Sequence, residues 1–114
     1  MSELPERDWK SMRKMCDELL ERLAKRINRR SREILEAGDG KAIDVYRELY
    51  AHIDASDRVI AECFDDWRRS TLMLRVLALR RHGLLTDTDL DRLSDQGRET
   101  IHRLEAPSGD FSTG

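Results

Sequence analysis

Residues 65–83 read DDWRRSTLMLRVLALRRHG. Two Arg-Arg pairs enclose an apolar block with one arginine, Arg75, in its middle. Such a block suits a nucleic-acid-reading helix, a membrane-seeking helix, or the central helix of a bundle. The apolar run LMLRVLAL is too short to span a bilayer, which needs about 20 residues. On a helix, residues 59–82 collect Val59, Ile60, Cys63, Phe64, Trp67, Leu74, Leu77 and Ala78 on one face. A second stripe, Leu72, Val76 and Leu79, lies on the far side. A helix apolar on both sides must be covered on both sides. The reading is therefore a bundle helix with two partners.

Outward from that block the helical pattern continues. Pro5 opens a first helix, with Glu6 and Asp8 in its positive-ended first turn. Trp9, Met12, Cys16, Leu19, Leu20, Leu23, Ile27 and Ile34 follow at helical spacing. The pattern predicts a stop at GDG, residues 38–40, with Gly38 as the left-handed cap and a kink near Ser31. A second helix is expected over 41–54, with Ala42, Ile43, Tyr46, Leu49, Tyr50 and Ile53 as its core stripe. DASD at 54–57 supplies caps for a third helix running to His82, unless the two are one helix. After Gly83, Thr86 or Thr88 caps a short fourth helix and Ser94 a fifth. Leu90, Leu93, Ile101 and Leu104 are their anchors.

The chain has 114 residues, one domain's worth, and buries about 65% of its unfolded surface on folding. Charged and hydrophobic residues each make up 39%, with 6 Gly and 2 Pro, a mix that favours long solvated helices over sheets. The fold class is all-α: a bundle of three main helices with a short C-terminal helical hairpin over residues 1–105. A disordered tail follows at 106–114.

A net charge of −2 argues against a dedicated polyanion binder. The excess acid sits in the last third of the chain. The stretch MSELPERDWK is polar, with no apolar signal core. Together with two widely spaced cysteines, Cys16 and Cys63, it points to a cytoplasmic protein with reduced thiols and no membrane partner.

Three motifs invite chemistry and each has a plainer reading. TDTDLD, residues 86–91, starts like a calcium loop, but Arg92 and Arg98 stand where Gly and Glu are required. ETIH, residues 99–102, supplies half of a di-iron motif with no second half. Cys16, Cys63, His52 and His82 have no zinc-site spacing. No glycine-rich phosphate loop or nucleophile elbow occurs. The expectation is no catalytic residue, no metal and no cofactor.

The expected function is protein–protein interaction, as an adaptor or regulator that forms a homodimer in one version. The expected contact residues are Leu72, Val76 and Leu79, with Arg75 and Arg68 on the rim. The C-terminal hairpin of the same chain competes with a second copy for that stripe. The alternative is a nucleic-acid-binding regulator using Lys25, Arg26, Arg29, Arg30 and Arg32 on the first helix. The acids above and below that cluster, and the absence of interleaved aromatics, argue for a solvated face instead.

Overall fold

A computed structural model describes residues 4–38 and 40–106. The chain is all-α, with helices α1 (Glu6–Ala37), α2 (Ala42–Phe64), α3 (Leu72–Arg81), α4 (Asp87–Leu90) and α5 (Asp95–Glu105). The tail expected to be disordered lies, from residue 107 on, outside the described residues. Helix α1 packs on α2, α2 on α3, and α3 on α5.

The one core belongs to half of each long helix. Helix α1 contributes Trp9, Met12, Met15, Leu19 and Leu23; α2 contributes Cys63; α3 contributes Leu72, Val76, Ala78 and Leu79. Leu84, Leu85, Leu90, Leu93 and Ile101 close it from the C-terminal side. We call this the body. The rest of α1 and α2, joined through residues 38–41, forms a two-helix arm. Its length follows from arithmetic: 23 residues make α2 about 34 Å long, while the 10 residues of α3 cover about 15 Å. Helix α3 therefore shields less than half of α2. The radius of gyration is 17.3 Å, against about 13 Å for a compact domain of this size.

Several boundaries differ from the sequence expectation. Helix α2 runs straight through DASD, and the break falls later, at residues 65–71. The Ser56 hydroxyl donates to His52 O at 2.8 Å, inside the helix, so it caps nothing. Ser31 does the same to Ile27 O at 2.9 Å, and α1 continues past it. At 65–71 two acids meet the negative end of α2, where they oppose its extension. Asp66 takes a left-handed conformation (φ 59°) and pairs with Arg68. The Trp67 indole donates to Cys63 O at 2.7 Å, and the ring stacks on Phe64. Arg69 bonds Glu6 at 2.5 Å and lies over Trp9, tying the turn to α1.

That turn resets the helical phase: the second stripe enters the core together with Ala78 of the first, while Leu74 of the first turns outward. Leu72, Val76 and Leu79 are at most 3% exposed, while Leu74 is 62% exposed. Gly38 is also not a left-handed cap (φ −64°, ψ 93°). A Cβ there would meet Val45 Cγ2 at 2.6 Å, so a larger residue requires Val45 to shift. Gly83 is the left-handed cap (φ 72°), with Leu84 N donating to Leu79 O and Gly83 N to Arg80 O.

Candidate functional site

Polar clamps hold the C-terminal segment onto α1, and they account for several residues that looked functional. Asp8, fully buried on α1, accepts from Ser94 N at 2.8 Å and Ser94 Oγ at 2.6 Å. Ser94 Oγ in turn accepts from Gly97 N, which caps α5. Thr86 and Asp89 form the reciprocal capping box of α4. Arg22 reaches across to Leu84 O at 2.7 Å and Asp89 at 2.6 Å. Burial alone would raise the Asp89 carboxyl; Arg22 and the Thr86 donors outweigh it and hold it below its ordinary value. Arg80 bonds Glu105, Asp87 and Leu85 O, and holds Glu105 below its ordinary range. Of the calcium-like aspartates, Asp89 caps α4 and pairs with Arg22, and Asp87 pairs with Arg80.

The first set of expected contact residues is not on the surface. Leu72, Val76 and Leu79 lie in the body core, covered by the C-terminal segment of the same chain. Of the two coverings the sequence left open for this stripe, the structure places the chain's own C-terminal segment over it, so the three side chains are not on the open surface. Arg75, expected on the rim, donates to Glu62 O, and its Nε is buried without a partner. Arg68 stays on the surface, paired with Asp66.

The basic cluster is divided in use. Arg26 donates to His82 O at 2.6 Å and Gly83 O at 3.3 Å, neutralising the negative end of α3. Arg30 pairs with Glu33 on its own helix and Glu48 on α2. Lys25, Arg29 and Arg32 are exposed. A groove of about 400 Å³ beside Arg26 and Arg30 is floored by Leu23, Ile27 and Val59, but both arginines already serve the fold.

Among the described residues Leu74 and Leu35 are exposed singly, and an aligned row of exposed apolar side chains lies on the arm. Five residues of α2 at heptad spacing, Val45, Leu49, His52, Ser56 and Val59, turn toward α1. Val45 packs on Gly38, His52 Nε2 meets Ile27 O at 3.0 Å, and Ser56 is buried. About 120° around the same helix runs a second heptad stripe: Ile43, Tyr46, Tyr50 and Ile53. These four are 48%, 60%, 63% and 40% exposed. Sequence reading placed them in the core, because they are the most apolar stripe of the segment. The inner stripe was hidden by His52 and Ser56, whose polar groups are satisfied by backbone carbonyls. Its signal was the unbroken 4-3-4-3 spacing.

Burial pushes the Cys16 and Cys63 thiols above their ordinary value, and Asp17 raises Cys16 further, which disfavours the nucleophilic thiolate. His102 of the ETIH motif bonds Glu105 at 3.1 Å. Among the described residues, no group of three or more His, Cys, Asp or Glu is placed to hold a metal ion, and no helix is long and apolar enough to cross a membrane. Comparison with protein-family models, curated proteins and solved structures finds no match to this chain.

Proposed function

We propose that the chain is a non-catalytic protein-interaction module, an adaptor or regulator working in the cytoplasm, and that the outer face of α2 makes its contacts. One observation carries this reading. Four large apolar side chains stand in a heptad row, 40–63% exposed, while the apolar core of the body is at most 9% exposed. Single exposed hydrophobics are ordinary; an aligned row on one helix is the form a helix-recognition face takes. Tyrosine adds area with few rotatable bonds and a polar tip, which suits a face that alternates between water and a partner. The cytoplasmic placement is supported by the two cysteines, which stand unpaired.

The test is a photo-crosslinking residue at position 46, with the exposed position 103 on α5 as control. The reading expects a protein adduct in cells from position 46 and none from 103. Equal or absent adducts at the two positions reject it.

A further inference from the structure

We propose that the occupant of this face is a second copy of the chain, packed α2 against α2 in antiparallel fashion about a two-fold axis. The inference rests on the interaction reading above and names its partner. Heptad positions decide the geometry. Ile43 and Tyr50 occupy a positions, and Tyr46 and Ile53 d positions, of one seam. In an antiparallel pair centred between Tyr46 and Tyr50, Ile43 meets Ile53 of the other copy and Tyr46 meets Tyr50. All four apolar residues then find apolar partners, and the contact is self-complementary as a two-fold requires.

Charge selects this orientation over the parallel one. The flanking e positions are Arg47 and Asp54, both accessible; Arg58, one turn along, bonds Asp54 at 2.9 Å. Helical side chains lean toward their own N-terminus. In the antiparallel pair this brings Arg47 of each copy toward Asp54 of the other and moves the two Arg47 tips apart. In this register the next a position, Asp57, lies two residues past the level of Lys41 of the facing copy, and its lean toward its own N-terminus turns it to that lysine and the N-terminal end of the facing α2. A parallel pair would instead oppose Asp57 to Asp57 and leave Arg47 facing Ala42. Like charges opposed and opposite charges unmatched is the pattern that excludes an orientation.

The seam from Ile43 to Asp57 is about 21 Å long, short for a permanent dimer. Association is therefore weak, with a dissociation constant on the order of micromolar to tens of micromolar.

The experiment is sedimentation equilibrium of the full chain from dilute to millimolar concentration. The expected mass rises from 13.3 kDa toward twice that value. Tyr50→Glu should weaken association about thirty-fold or more while leaving the helical circular dichroism intact. Arg47→Asp should weaken it about three- to ten-fold, and the double variant Arg47→Asp with Asp54→Arg should restore it. Dimerisation unmoved by Tyr50→Glu, or a swap that fails to restore, overturns this arrangement. A monomer at every concentration overturns self-association. If position 46 then still crosslinks to a different protein, the interaction reading stands without the homodimer; if it crosslinks to nothing, both fall.

Discussion

The body and the arm are built from the same two helices, yet they treat apolar side chains in opposite ways. In the body, α1 and α2 meet α3 and the C-terminal segment, so each apolar residue has neighbours on several sides. In the arm the two helices pack chiefly on each other. A two-helix seam covers one face of each helix, and whatever is apolar elsewhere stays in water. Coverage is thus set by the length of α3, not by the sequence of α2. The C-terminal half of the outer stripe, Ile60 and Phe64, packs against the core, while the N-terminal half, Ile43 to Ile53, is left open.

Substitutions in the two regions should separate sharply. Leu79→Ala, in the body, is expected to cost about 2–5 kcal/mol, since it opens a cavity in a fully buried site. Tyr50→Ala on the arm should change monomer stability by no more than about 0.5 kcal/mol. Chemical denaturation of dilute protein measures both. Equal effects would mean that the arm face is packed after all.

The clamps should matter next. Asp8→Ala leaves Ser94 N without its buried acceptor and is expected to cost about 1–3 kcal/mol. Gly97→Ala should do comparable damage by another route, because the new Cβ would sit 2.1 Å from Asp8 Oδ2. Gly38→Ala, at the arm tip, meets only Val45 and has a permitted φ; its cost should be smaller than that of Gly97→Ala. Thermal melts of the three variants rank them.

Acid should also attack the body first. Asp89 and Glu105 titrate below their ordinary values of 3.8 and 4.5, so the unfolded chain binds their protons more readily. The stability they supply is whole above those values and lost as pH falls through the lower folded ones. Unfolding free energy should therefore drop with falling pH from about pH 4.5 downward. Asp89→Asn should flatten part of that slope, and Tyr50→Ala should leave it unchanged. A slope unaltered by Asp89→Asn would remove the Arg22 clamp from the account.

The local rules of helix ends were legible in the sequence. Thr86, Ser94 and Gly83 act where capping chemistry places them, because a cap is decided by residues three or four positions apart. The break at 65–71 was not legible. Two acids at a helix end are a local signal, but Arg69 reaching Glu6 and Trp9 joins distant parts of the chain. Ser56 misled for the same reason in reverse. A serine beside two aspartates resembles a cap, but its hydroxyl is satisfied one turn back. Misplacing that break shifted the phase of α3, and with it the choice of contact residues. The arm face was missed because periodicity shows that a stripe is apolar, while only the lengths of neighbouring helices show whether it is covered.

The most direct test is amide hydrogen exchange of the unmodified chain at two concentrations, one dilute and one near millimolar. Mass action should stabilise whatever associates. The account predicts that amides of residues 42–57 exchange faster than those of the body in dilute solution and slow markedly on concentration, while Leu72–Arg81 is unchanged. Identical exchange at both concentrations, or protection that rises over the body instead of the arm, would contradict it.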